Sequence, residues 1–355
     1  SSTDDAHSPN RPARRGWARN PRVWSGVAVT GFFMWLVFRD VNFGLVREAI
    51  AQADWLILLG VSIPAYLLCV FLRALRWRYL TDPIQPISTA ALFRAVSIGF
   101  MANNIFPLRM GEVLRAWYLS RETGAPTAAL FGTVILERVV DTVTVIALAA
   151  LALGLWGAGS GGLLARGVIF LIPVALAPLA ALVALRLAPE RFIALAGWLL
   201  GPFPERVAEY VQGALGRFEQ GLGALSGGIH LFWIAAYSLV IWLVASTIPI
   251  LAGFAALGIE FHDTFETLIA AWVTLSAVGM AVAIPSAPGF FGTYHAACKL
   301  ALEPFGVPPE TAVALGTLVH GVFWLTLTLL GFAVLRLGGT SLSDLDQARQ
   351  SSPPE

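Results

Sequence analysis

The chain carries little charge for its length. Charged residues make up only 13% of its 355 residues, whereas soluble domains carry about a quarter. Hydrophobic residues reach 57%, and the mean hydropathy is +0.73. This composition excludes an ordinary soluble domain. Because several apolar runs reach the roughly 20 residues that cross a bilayer, the sequence predicts an all-α integral membrane protein.

Cysteine is scarce as well. Cys69 and Cys298 are the only two cysteines, both in apolar segments, and no CxxC or Cys/His spacing occurs. The pattern indicates neither a disulfide framework nor a zinc site. We therefore expect no metal and no cofactor, and no catalytic residue is predicted. The net charge of +1 argues against nucleic acid as a partner.

Lysine is almost absent, because Lys299 is the only one and every other basic residue is arginine. GC-rich codon usage would produce such a bias without any functional cause. Phosphate recognition is the alternative, since the planar guanidinium group binds phosphate with two parallel hydrogen bonds. The bias alone does not decide between these two explanations.

The apolar runs form one membrane domain between two polar tails. Residues 1–22 are predicted to be a disordered basic tail, and residues 338–355 a polar C-terminal tail. Between them, 23–337 is a single polytopic helical bundle with a polar insert at 189–226. The distribution of arginines over the loops places both termini in the cytoplasm. The expected location is the cytoplasmic (inner) membrane of a bacterium or an archaeon.

Two polar interruptions break the apolar part of the chain. The first is NNIFPLRMGEVLR, residues 103–115, and the second is IPSAPGFFGTYH, residues 284–295. Proline stops a helix and glycine permits close backbone approach. Each interruption therefore predicts a broken or re-entrant helical hairpin. The predicted helix breaks are Pro107, Gly111, Pro285, Pro288, Gly289 and Gly292.

The two interruptions also belong to a predicted internal repeat. Three pairs of segments match in the same order, namely PLRMG with PGFFG, GAP with GVP, and GTVILERVV with GTLVHGVFW. Copy A spans about 54–153 and copy B about 229–335. The arginine distribution makes the two hairpins enter from opposite sides, so the repeat is predicted to be inverted. Many secondary transporters build a site at mid-membrane from such inverted repeats.

Polar residues near the first break are the main candidates for binding substrate. The helix that starts near Gly111 presents free N–H groups and a positive dipole end to an anion. Glu137 and Asp141 are four residues apart, so they share one helix face. The alternatives are a simple interfacial loop and a structural charge cluster. The candidate substrate-binding residues are Arg109, Glu112, Arg115, Glu137, Arg138, Asp141, Tyr294 and His295.

Two further features have plainer interpretations. Arg73, Arg76 and Trp77 in RALRWR are interpreted as anchors at the cytoplasmic membrane boundary, where arginine and tryptophan are common. Contact with a phosphate head group is the alternative for these residues. His320, in the last apolar run, is interpreted as a core histidine.

Four segments together resemble a known family. In chain order RALRWRYL, NNIFPLRMGEVLR, LERVVD and IPSAPGFFGTYHAA are similar to the lysylphosphatidylglycerol synthase transmembrane-region family, a flippase-like membrane domain. The resemblance covers roughly 50–335 and implies a lipid-translocating, stand-alone member without the soluble synthase domain, so no lysyl transfer is expected. Where the family motif often continues with an acidic residue, this chain has Thr293. The matching positions are Pro107, Gly111, Glu112, Arg115, Glu137, Arg138, Asp141, Pro288, Gly289 and Gly292.

The leading hypothesis is a flippase for a phospholipid or a polyprenyl-phosphate-linked glycan, a transporter rather than an enzyme. An integral-membrane glycosyltransferase or other lipid-phosphate-processing enzyme is the alternative. Such an enzyme needs a general base and usually an acidic metal-binding pair. A non-transporting partner of a lipid-modifying enzyme is the third option. The expected partners are membrane lipids with phosphate head groups; a homo-oligomer and a lipid-synthesising enzyme partner stay open.

Overall fold

In the computed structural model, all regular elements among the described residues are helical, and none is a strand. This confirms an all-α polytopic membrane protein. The two predicted tails, Pro107 and Pro285 lie outside the described residues. The structure describes 38–106, 109–156, 179–199, 216–283 and 288–337, with single positions between 31 and 35, between 173 and 177, and at 213 and 214.

Among the described residues, five helical segments are long and apolar enough to cross a membrane, namely Trp55–Thr81, Thr127–Trp156, Gly228–Ala256, Thr264–Ala283 and Pro309–Leu337. Within the third segment, a π-helical turn, Ile241–Ala245, separates two α-helical parts. The helices with defined bounds are α1 (Phe43–Gln52), α2 (Trp55–Thr81), α3 (Thr89–Ile105), α4 (Gly111–Thr123), α5 (Thr127–Trp156), α6 (Pro189–Leu199), α7 (Gly228–Val240), α8 (Ile248–Ala256), α9 (Thr264–Ala283), α10 (Thr293–Leu302) and α11 (Pro309–Leu337).

Side chains next to the helix ends explain where several helices begin. Asp54 accepts hydrogen bonds from two backbone N–H groups at the start of α2. Ser88 accepts one from the third residue of α3. Such caps satisfy N–H groups that the first turn of a helix leaves unpaired. The α2 helix then continues through RALRWRYL to Thr81.

Each predicted break separates a pair of helices. Residues 106–110 lie between α3 and α4, and residues 284–292 lie between α9 and α10. Among the described residues, Arg109 and Phe290 are the two non-glycine residues with positive φ, at 54° and 61°. Each lies two positions after the matched proline of its copy. A positive φ at a non-glycine residue therefore recurs at the same point of both predicted copies.

The remainder of the two predicted copies also follows one order. Gly124 and Gly306 both adopt a left-handed conformation, with φ of 75° and 73°, and a long helix begins within three residues of each. The packing is reciprocal, because α3 lies against α11 while α9 lies against α5. The internal repeat, the inversion of one copy relative to the other and the re-entrant course of the hairpins stay predictions.

The first hairpin is held together by a close backbone contact. A Cβ atom on Gly111 would clash with the carbonyl oxygen of Gly99, so only glycine lets α4 lie this close to α3. The backbone N–H of Gly111 donates to Asn103 Oδ1 at 2.8 Å. The next residue, Asn104, donates to Thr328 Oγ1 at 3.0 Å. Asn103 thus joins α3 to α4 within the first hairpin, and Asn104 joins α3 to α11.

Candidate functional site

Five arginines and three acids meet beside the first hairpin, and we call this group the charge cluster. Two of the arginines come from α2, three members from α5, and the rest from the first hairpin. If all are ionised, five guanidinium groups face three carboxylates, which leaves an excess of two positive charges. The members are Arg73, Arg76, Arg109, Glu112, Arg115, Glu137, Arg138 and Asp141.

Asp141 is the acid with the most contacts. Arg73 Nη1 donates to its Oδ2 at 2.9 Å, and Arg76 Nη1 donates to its Oδ1 at 2.6 Å. Arg138 Nη2 lies 3.0 Å from Oδ2. The π-helical turn adds a fourth partner, because Trp242 Nε1 donates to Oδ1 at 3.0 Å. A buried carboxylate needs such partners to stay ionised.

Glu137 is fully buried one helical turn before Asp141. Arg115 Nη1 donates to its Oε1 at 3.2 Å, and Arg76 Nη2 lies 3.3 Å from the same oxygen. The neighbouring Arg138 donates to it as well. Glu137 therefore joins α2, α4 and α5 through arginines from three different helices.

Glu112 lies at the start of α4, which is not one of the five candidate spans. It is 3.1 Å from Arg115 and 3.8 Å from both Arg109 and Arg138. Burial alone would raise the pKa of the Glu112 carboxyl group, but the guanidinium groups of Arg138, Arg115 and Arg109 outweigh it and lower that pKa below its ordinary value. Glu112 therefore stays ionised and pairs with the arginines that lie nearest the break.

The arginines of the charge cluster keep unused hydrogen-bond donors. Their Nε groups are buried and have no hydrogen-bond partner among the described residues, and this holds for Arg73, Arg76, Arg109, Arg115 and Arg138. A guanidinium group has five N–H donors. Unused donors on a positively charged cluster suit an anion with several acceptor oxygens, such as phosphate.

A cavity of about 340 Å³ opens beside the charge cluster. Arg73, Arg109 and Arg138 form its charged wall, next to Asp141. The remaining wall is mostly apolar and includes Val145, Ile146, Leu275, Val278, Phe323 and Leu327. The cavity thus places a positive surface against an apolar one, which is complementary to the phosphate and the hydrocarbon part of a lipid.

The second hairpin reaches the same cavity. Tyr294 and His320 line it, and their rings stack with centroids 4.5 Å apart. The ring of His295 lies 5.7 Å from that of His320, but His295 is not part of the cavity wall. The structure therefore brings Tyr294 to the cavity that the charge cluster lines, and it places His295 behind that wall.

The structure contradicts the interpretation of Arg73, Arg76 and Trp77 as boundary anchors. Arg76 and Trp77 are fully buried, and Arg73 is 6% exposed. Trp77 donates to Thr133 Oγ1 at 2.8 Å and lies under the guanidinium group of Arg115. A signal for this was present in the sequence, because arginines three residues apart inside a continuing membrane helix require acidic partners.

The chain is similar to a known protein family and to individual relatives. A family model described as the lysylphosphatidylglycerol synthase TM region matches residues 23–331. The chain is similar to a UPF0104 membrane protein of Methanothermobacter thermautotrophicus, with 26% identity over 320 residues, which are 85% of this chain and 91% of that protein.

A second relative is considerably longer than this chain. The chain is similar to a protein named Glycosyltransferase AglD of Haloferax volcanii, with 26% identity over 335 residues. The match includes 86% of this chain and 52% of that protein, so the chain spans about half the length of this relative. No solved structure matches the chain.

Proposed function

The chain belongs to the lysylphosphatidylglycerol synthase transmembrane-region family, and from this premise we propose that it moves a phosphate-containing lipid across the membrane. The lipid is a phospholipid or a polyprenyl-phosphate-linked glycan. One observation carries the proposal: a buried cluster with an excess of two positive charges forms one wall of a cavity that is otherwise mostly apolar. Charged groups inside a membrane domain are costly and usually mark a transport path.

The contacts suggest which arginines the head group meets first. Arg109 and Arg138 are the most exposed arginines of the charge cluster, with 29% and 26% of their side chains exposed. Their ion pairs with Glu112 are long, at 3.8 Å each. A phosphate group can replace these weak pairs and use the free Nε donors. Glu112 then holds the two arginines in place while no lipid is bound.

We propose that the lipid crosses the membrane through a movement of the first hairpin relative to α5. The hairpin carries Arg109 and Arg115, whereas α5 carries Arg138. A phosphate group bound between them would travel with the hairpin while its hydrocarbon chains stay against the apolar wall. The arginines lower the cost of taking the phosphate charge through the membrane, since they replace the water that it loses.

Reconstitution into vesicles tests the proposal. Purified protein is placed in liposomes that contain either a fluorescent phosphatidylglycerol or a fluorescent glycosyl-diacylglycerol without phosphate, and dithionite quenches the outer leaflet. We expect the inner-leaflet phosphatidylglycerol to become accessible to dithionite, whereas the glycolipid stays protected. A broad panel of phosphate lipids follows. If none of them moves, the proposal fails.

A matched pair of arginine variants sharpens the test. Arg138→Gln removes a guanidinium group from the cavity, while Arg94→Gln removes one that pairs with Glu122 away from the charge cluster. We expect Arg138→Gln to slow transport at least about tenfold, because a hydrogen bond to a charged group contributes roughly 1.5–3 kcal/mol. Arg94→Gln should keep the native rate. An equal loss in both variants would count against a role of the cluster.

The location and orientation are part of the proposal. Thr89, Arg121 and Leu337 line one surface groove, so the start of α3 and the ends of α4 and α11 lie on the same side. Exposed arginines at this side include Arg78 and Arg121. The positive-inside rule makes it the cytoplasmic side of a bacterial or archaeal cytoplasmic membrane, with both termini inside.

The name of one relative favours a second candidate function, an integral-membrane glycosyltransferase. In that case Glu137 or Asp141 would act as a general base, and its arginine pairs would first have to open. Incubation of the purified protein with nucleotide sugars and lipid phosphates separates the two candidates. A glycosylated lipid product would favour the enzyme, and lipid movement without any product would favour the transporter.

A further inference from the structure

We infer that the cavity contains a second polar subsite, formed by His320 with Tyr294 stacked on it, which binds an uncharged hydroxyl group of the lipid head group. The inference rests on the proposed function and names the class of lipid. The preferred lipid is a net-anionic one whose phosphate carries a polyol or a sugar.

The first observation is that His320 is buried beside the cavity with one ring nitrogen unpaired. Its side chain lines the cavity, yet the residue is only 1% exposed. Its Nε2 atom is buried and has no hydrogen-bond partner among the described residues. The ring is held by the Tyr294 stack, with centroids 4.5 Å apart. An unpaired buried nitrogen is unfavourable, so a ligand group that pairs with it is stabilised.

A continuous aromatic wall connects this subsite to the charge cluster. The guanidinium group of Arg73 lies 5.8 Å from the ring of Phe100. The rings of Phe100 and Phe323 are 6.1 Å apart, and those of Phe323 and His320 are 6.4 Å apart. All four residues line the cavity. One head group with a phosphate at one end and hydroxyl groups at the other can therefore follow this wall.

The charge balance selects a hydroxyl group over an ammonium group. A neutral imidazole nitrogen pairs with a hydroxyl in either tautomer, because a hydroxyl both donates and accepts. An ammonium group in the same cavity would be repelled by the two excess positive charges of the cluster. Phosphatidylglycerol and sugar phosphates of lipids fit these conditions, whereas phosphatidylethanolamine and aminoacylated lipids do not.

A native cysteine provides the experiment. Cys69 lines the cavity, while Cys298 is fully buried and lies outside the cavity wall. Labelling with N-ethylmaleimide in detergent micelles therefore reports on the cavity, and Cys69→Ser verifies the labelled position. Dioctanoyl phosphatidylglycerol, phosphatidic acid and phosphatidylethanolamine are added in turn, and the concentration that halves the labelling rate is measured for each lipid.

The subsite makes a lipid-specific prediction for His320→Phe. This variant should weaken protection by phosphatidylglycerol about fivefold, the usual worth of one hydrogen bond, and leave protection by phosphatidic acid within about twofold. His320→Gln, which keeps a hydrogen-bonding group, should retain most of the protection. Phosphatidylethanolamine should need at least about tenfold more lipid than phosphatidylglycerol in the native protein.

Two results would overturn the subsite. One is an equal effect of His320→Phe on phosphatidylglycerol and phosphatidic acid, and the other is equal protection by phosphatidylethanolamine and phosphatidylglycerol. Binding and transport can fail separately. Lipid protection without lipid movement in vesicles would contradict the proposed function alone, whereas movement with an unchanged lipid preference in His320→Phe would contradict the subsite alone.

Discussion

The two hairpins share a non-glycine residue with positive φ at their breaks but carry different side chains. Arg109 in the first and Phe290 in the second occupy matched positions with φ of 54° and 61°. Directly after these breaks, the first hairpin has Glu112 where the second has Thr293. Three residues later Arg115 in the first hairpin corresponds to Ala296 in the second.

The two hairpins are alike in the order of their helices but differ in the chemistry of their side chains. Both hairpins line one cavity, yet the first contributes the ionic Arg109 and the second contributes Tyr294, which stacks on His320. Two hairpins of similar helix order can therefore present a positively charged surface on one side of the cavity and an uncharged polar surface on the other. This division suits a lipid head group that has a phosphate and a neutral part.

Membrane topology is the most direct test of the predicted inversion of the two hairpins, because its outcome is all or none. Arg121 and Glu303 are exposed at the ends of the two hairpins. In a Cys69→Ser background, we expect Glu303→Cys to react with a membrane-impermeant maleimide in intact cells. Arg121→Cys should react only after the cells are permeabilised. Labelling of both positions from the same side of the membrane would contradict the predicted inversion but not the predicted internal repeat.

Removal of one buried acid should have the next largest effect. Asp141→Asn leaves Arg73 without its carboxylate and Arg76 with Glu137 alone, so the free energy of unfolding should fall by about 3–5 kcal/mol. Unfolding in mixed micelles, followed by circular dichroism, measures the change.

The control for this variant is the pair of Glu122 with Arg94, in which about a third of the arginine side chain is exposed. Glu122→Gln should cost less than about 1 kcal/mol, since exposed ion pairs contribute little. Similar costs for Glu122→Gln and Asp141→Asn would mean that the charge cluster does not stabilise the bundle.

Much of this architecture follows from local sequence. The breaks at Gly111 and Gly292 separate helices as predicted, because proline and glycine act on the adjacent backbone. The common face of Glu137 and Asp141 also follows from helix periodicity alone. In both cases, the residues that decide the outcome are within a few positions of one another.

The features that the sequence analysis missed depend on distant partners. Helix spacing puts Arg73 and Arg76 on one face of α2 and indicates that they need acidic partners, but only the packing of α2 against α5 identifies those partners as Glu137 and Asp141. The π-helical turn that directs Trp242 to Asp141 lies in a uniformly apolar segment, where no residue marks it. His320 gives no local sign of whether it faces a cavity or the core.

Glycine substitutions in the two predicted copies should change the free energy of unfolding least. Gly111→Ala should cost about 1–3 kcal/mol, because its methyl group would push α4 away from α3. Gly124 and Gly306 have open space around them but φ of 75° and 73°. Alanine at either position should cost about 1 kcal/mol, from backbone strain alone.

The control for the glycine series is Gly60→Ala, because Gly60 has open space and an ordinary helical backbone. This variant should be neutral or slightly stabilising. All four changes are measured by the same unfolding assay. Equal costs at Gly124 and Gly306 are required if the matched glycines make the same turn in both copies. A clear cost at one of them alone would show that the likeness of the two hairpins ends at their breaks.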